Sequence, residues 1–136
     1  MLVKNFEDLE IWKEARRLTG EIYGLTKDSK FSKDFDLSRQ IQSAAVSIMS
    51  NIAEGFERGG NQEFIQFLYI AKGSCGEVRS QLYAALDQFY ATQKTCEDLT
   101  KSFRRLSIMI SNFIAYLRRS GMRGVKYAVS KPSART

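Results

Sequence analysis

The chain has 136 residues, of which 43% are apolar and 26% charged, the composition of a folded globular domain rather than a disordered one. It contains no histidine, which excludes Ser-His-Asp and Cys-His catalysis, histidine-ligated zinc and the Glu-x-x-His di-iron bundle. Its 21 basic and 15 acidic residues leave a net charge of +6, too modest for a chain that is basic throughout, so where the surplus sits matters more than its size.

The first helix is expected over residues 6–27. Leu9, Trp12, Ala15, Leu18, Ile22 and Leu25 recur every three or four residues, as one buried helical face requires. Glu7, Asp8 and Glu10 lie in its first turns, where the helix dipole favours acids. Gly20 and Gly24 weaken it and share a face, which suggests a close neighbour there. Residues 28–32 read as a loop.

A second helix follows over residues 33–58, with Leu37, Ile41, Ala45, Ile48, Ile52 and Phe56 as its stripe and Val46, Met49 and Ala53 widening it. Gly59-Gly60 stops it, and Asn61 is a candidate cap for a third helix over residues 62–91. That helix carries Phe64, Phe67, Leu68, Ala71, Cys75, Val78, Leu82, Ala85, Leu86 and Phe89 on one stripe. Gly73-Ser74-Cys75-Gly76 falls in its middle and reads as a flat patch where another backbone approaches. A phosphate-cradling loop would need a strand before it, and none is expected.

The fourth helix is expected from Thr95, whose capping partner is Asp98, and to close at Gly121. Leu99, Phe103, Leu106, Ile110, Phe113 and Leu117 repeat at alternating spacings of four and three, a heptad seam. Residues 1–121 are thus expected to form an all-α, antiparallel up-down-up-down four-helix bundle, followed by a basic tail over residues 122–136. Tyr69, Ile70, Tyr83, Tyr90, Ile108, Met109, Ile114 and Tyr116 lie off the main seams. One core cannot take them all, so a homo-oligomer is expected.

Charge divides sharply along the chain. Residues 1–117 hold 15 basic and 15 acidic side chains, whereas residues 118–136 hold Arg118, Arg119, Arg123, Lys126, Lys131 and Arg135 and no acid. A neutral body with a basic end suits contact with a polyanion at that end, and equally a solvated tail. Arg104 and Arg105, with Lys101 nearby, would extend a phosphate-binding patch, and Tyr127 could stack on an exposed base. Cys75 and Cys96 form no C-x-x-C pair and read as reduced core thiols. The start of the chain has no signal-peptide pattern. The longest apolar uncharged run, residues 106–117, falls short of the roughly 20 residues a membrane span needs. A cytoplasmic protein with no membrane contact, cofactor or metal is expected.

Val46-Ser47-Ile48-x-Ser50-Asn51-Ile52-Ala53-Glu54-Gly55, then Glu63-Phe64-x-x-Phe67-Leu68, then Ala71-x-Gly73-Ser74-x-x-Glu77 resembles the four-helix-bundle proteins encoded in intervening sequences of bacterial 23S ribosomal RNA genes. Phe6-x-x-Leu9-x-Ile11-Trp12-x-x-Ala15 and Gln40 fit the same pattern, and the resemblance covers residues 6–90 best. The chain departs from it at Phe31-Ser32, where Phe-Pro is usual, and at Met49, where proline is frequent. The resemblance implies a homopentameric bundle associated with ribosomal RNA. It also implies kinship with the basic accessory protein of diversity-generating retroelements, which associates with nucleic acid and a reverse transcriptase.

Two readings of the motif residues stand open. Asn51 with Glu54, and Ser74 with Glu77, are each three apart on a helix face. They could be paired acids of an active site, or a polar network that joins helices or subunits and fixes their register. The lack of a nucleophile–base pair favours the network and a non-enzymatic protein. Two functions follow: an oligomeric bundle that binds structured RNA, or an oligomeric scaffold that binds another protein.

Overall fold

Five helices and no strand form within residues 3–120, the part described by the computed structural model. Four are long, as the apolar periods require; the fifth is a single turn in the segment expected to be a loop.

Helix α1, Glu10–Thr26, starts later than the sequence pattern suggests. A 3-10 turn at Phe6–Asp8 precedes it, and the extended backbone of Leu9 separates the two while its side chain is buried. Phe6 meets Trp12 edge-on at 5.1 Å, so the turn closes over the start of α1. Helix α2, Ser29–Ser32, replaces the expected loop. Asp28 caps it by accepting from the backbone N–H groups of Lys30 and Phe31, at 2.9 and 3.3 Å. The turn carries Phe31 into the core, where it stacks on Tyr90 with centroids 5.0 Å apart.

Helix α3, Phe35–Arg58, is capped by Asp34, one of whose oxygens accepts from the Leu37 N–H at 3.1 Å. The other accepts from the Tyr90 hydroxyl at 2.9 Å and ties the start of α3 to the far end of the next helix. Gly59, with φ of 85°, ends α3 in the left-handed conformation that glycine tolerates best. Helix α4, Asn61–Asp87, begins with Gly60 as its cap, not Asn61. The Asn61 side chain instead donates from Nδ2 to the Leu117 carbonyl oxygen at 2.7 Å.

Helix α4 stops short of the expected residue 91 because Phe89 takes a φ of 60°. The Tyr90 N–H returns to the Ala85 carbonyl at 2.9 Å, a helix-ending loop in which Phe89 holds the place usually given to glycine. Phe89 is 81% exposed, so it is no part of the stripe assigned to it from sequence. Helix α5, Gln93–Ser120, begins two residues before Thr95. The cap is Thr92, whose hydroxyl oxygen accepts from the Thr95 N–H at 3.1 Å.

The core runs through all four long helices, with α3 packed chiefly on α4, α4 on α5, and α1 on α3 and α5. Leu99, Phe103, Leu106, Ile110 and Leu117 of the heptad seam are buried. So are Ile114 and Tyr116, which the core accommodates after all, while Tyr69, Ile70, Tyr83 and Ile108 stay exposed. Helix α4 packs tightly on α3 at Gly55: a Cβ there would lie 2.7 Å from Phe67 Cβ and 2.8 Å from Phe64 Cδ1. Gly20, Gly24, Gly73 and Gly76 meet nothing within 4 Å, so the close neighbours expected at them are not supplied by the described residues.

Candidate nucleic-acid interface

Helix α5 carries the basic candidates, and helical geometry sends them to different faces. Arg104 and Arg105 are adjacent in sequence and therefore about 100° apart around the helix. Arg105 lies toward α1. There the hydrogen bond from Arg17, followed by the charges of Arg17 and Arg105, holds the Glu14 carboxyl below its ordinary range against the opposing effect of partial burial. Arg104 lies toward α4 and lines a groove of about 420 Å3 with Tyr83, Lys101 and Thr100.

At the other end of α5, the Arg118 guanidinium sits 5.4 Å from the centroid of the Tyr69 ring. Both residues border a second groove of about 420 Å3 with Asn61, Gln62 and Gln66. Arg119 is exposed in the last turn. None of these four arginines forms an ion pair with an acid among the described residues. Arg123, Lys126, Lys131 and Arg135, together with the boundary drawn between residues 121 and 122, fall outside the described residues.

The motif residues separate into two places. Ser74 of α4 donates through its hydroxyl to Ser47 Oγ of α3 at 3.0 Å. Asn51 donates from Nδ2 to Ser47 Oγ at 2.9 Å and to the Ser47 carbonyl at 2.8 Å. Asn51 and Ser74 therefore meet through Ser47, a half-buried hydroxyl that stands in the sequence motif but to which sequence reasoning gives no part in the network. Its position one turn before Asn51 was the available signal.

The two acids do not meet. Glu54 accepts from Arg58 at 2.9 Å, and Arg58 reaches Glu63 at 3.4 Å and lies 5.0 Å from the Phe67 centroid. Glu77 accepts from Gln81 Nε2 at 3.5 Å and borders a groove with Arg39, Ser43 and Ser47. Gly55 faces Phe64 and Phe67, while Ser47 faces Ser74, so Glu54 and Glu77 sit at opposite reaches of the α3–α4 pair. About ten residues of helix, roughly 15 Å, separate their levels. An arrangement with both carboxylates on one substrate does not form.

Burial pushes the Cys75 thiol up to about 12 and raises that of Cys96, which leaves neither as a ready nucleophile at neutral pH. No cluster of three or more potential metal ligands occurs among the described residues. No helix among them is long and apolar enough to cross a membrane.

The 23S rRNA-intervening sequence protein family model matches residues 7–112. The chain belongs to the 23S rRNA-intervening sequence protein family. Nothing among the curated proteins matches it. Among solved structures, it is similar to a Bacteroides thetaiotaomicron protein of unknown function from the S23 ribosomal protein family. That likeness has a TM-score of 0.71 at 23% identity, over 76% of this chain and 97% of the other, and shows a shared fold. The family match takes in Arg104, Arg105 and the Asn51–Ser47–Ser74 network, and ends before Arg118 and the basic tail. The unbalanced positive charge of this intervening-sequence protein thus lies outside the matched segment.

Proposed function

We propose that this intervening-sequence protein is a non-enzymatic, homo-oligomeric helical bundle, of up-down-up-down topology, that binds structured RNA in the cytoplasm through α5 and the basic end that follows it. The observation that carries the reading is the charge distribution. Six cations and no acid fill residues 118–136, behind a body whose charges cancel. Two of the six, Arg118 and Arg119, and Arg104 earlier on α5 have no ion-pair partner among the described residues.

Support for self-association comes from Tyr69, Ile70 and Ile108, which are exposed, and from Gly73, a mid-helix glycine with open space beside it. Each is unfavourable on a solitary helix surface and explicable against a second copy. The family resemblance suggests a pentamer, in which the charge surplus of five copies would total about +30. Such an assembly needs no sequence preference to hold a structured RNA. Asn51, Ser74 and Ser47 then fix the register of α3 on α4, with Glu54 and Glu77 in surface hydrogen bonds.

The test is binding of structured ribosomal RNA fragments to the full chain across a salt series. Phosphate contact predicts a log–log slope of about 0.7 to 0.9 for each phosphate neutralised. A salt-independent signal, or none near physiological salt, points instead to a scaffold for a protein partner.

A further inference from the structure

Tyr83 stands on α4 with 59% of its surface exposed, and its ring has no aromatic or cationic partner among the described residues. It borders the groove of about 420 Å3 between α4 and α5, beside Leu86, Cys96, Thr100, Lys101 and Arg104. Cys96 is buried and Leu86 half-buried, which gives the groove an apolar side. Lys101 and Arg104 are three residues apart on α5, so they share a helix face at the rim. Neither forms an ion pair with an acid among the described residues, although Glu97 lies one turn before Lys101 on the same helix. The one carboxylate in the groove, Glu97, accepts a hydrogen bond from Gln93 at 3.1 Å.

We infer that this groove is a stacking site for one unpaired RNA nucleotide, with the base on the Tyr83 ring and its phosphate held by Lys101 and Arg104. The inference rests on the RNA-binding reading and gives it a described site away from the basic tail. An exposed aromatic ring accepts any base face, and neighbouring cations take the backbone charge, which is the chemistry of single-strand recognition. A duplex would be excluded because its bases are already stacked, so the groove favours loops and bulges of a folded RNA. Thr100, Gln93 and Glu97 offer the base edge both donors and acceptors. A second copy of the chain is the competing occupant. Tyr83 lies fourteen residues, or about 21 Å, from Tyr69 on α4, so self-association around Tyr69 and Ile70 leaves the Tyr83 ring open, whereas Ile108 is one turn from Arg104 on α5 and a second copy seated there would reach the Arg104 rim.

The experiment uses the full chain and a short single-stranded oligouridine carrying one 2-aminopurine. Its fluorescence quenching reports stacking, and its anisotropy reports affinity. Wild-type protein should quench the probe, Tyr83→Phe should match it, and Tyr83→Ala should abolish the quenching and weaken binding roughly ten-fold. Arg104→Gln should weaken binding and flatten the salt slope by about one phosphate. Tyr83→Ala that quenches and binds like wild type would overturn the site while leaving RNA binding intact. A loss accompanied by a changed assembly mass would also overturn it and assign the groove to a second copy. Wild-type protein that binds no RNA, single-stranded or structured, would reject this site together with the broader reading.

Discussion

Phe89 holds a left-handed backbone conformation that costs a non-glycine residue about 1–2 kcal/mol, and its exposed ring returns little burial. Phe89→Gly should therefore raise stability by about 1 kcal/mol in denaturant melts, with the fold unchanged. The reverse holds at Gly55, where a Cβ would collide with Phe64 and Phe67. Gly55→Ala gains helix propensity but overpacks the α3–α4 contact, and should lose about 1–2 kcal/mol net. Gly20→Ala, in open space on α1, should gain up to about 1 kcal/mol. Equal effects at the two glycines would remove the packing explanation. The buried Cys75 thiol adds a pH dependence. Its proton is held to about 12 in the fold but released near 9 in the unfolded chain. Above pH 9 the unfolded state binds fewer protons, so stability falls by up to about 1.4 kcal/mol per pH unit until about 12. Comparing alkaline melts of wild type and Cys75→Ala isolates that slope, and alkylation of Cys75 at neutral pH should await unfolding.

At the scale of elements, the apolar stripes were legible and the helix ends were not. Spacings of three and four residues located every long helix, because only one helical face can reach the core. Ends depend on individual caps and on tertiary partners. Asn61 is a favoured cap type, yet its amide is used by the Leu117 carbonyl on α5, a partner that local sequence does not reveal. Phe89 sits where glycine is the usual signal, so the stop of α4 was hidden. The turn α2 did have a signal, since Asp28-Ser29 reads as a cap once a buried Phe31 is allowed. The separation of Glu54 from Glu77 was also available: counting outward from Gly59-Gly60 puts them at different levels of the paired helices. The Tyr83 groove was not legible, because exposure of one aromatic among several off-seam residues is decided by packing alone.

For the whole molecule, the exposed apolar residues and the charge division make separate claims. If self-association uses the surface around Ile108, Ile108→Asp should lower the mass by light scattering toward 15.5 kDa, whereas Phe35→Asp, also exposed but at the start of α3, should not. A monomeric wild type would remove the need for either. The basic end makes the central claim, and one comparison tests it most directly. The full chain is set against a variant in which Arg118, Arg119, Arg123, Lys126, Lys131 and Arg135 are all glutamine, with a structured ribosomal RNA fragment titrated at several salt concentrations. The wild type should bind with a steep salt slope, and the variant should lose most affinity and most of that slope while keeping its assembly mass. Equal binding and equal slopes would contradict RNA recognition through the basic end.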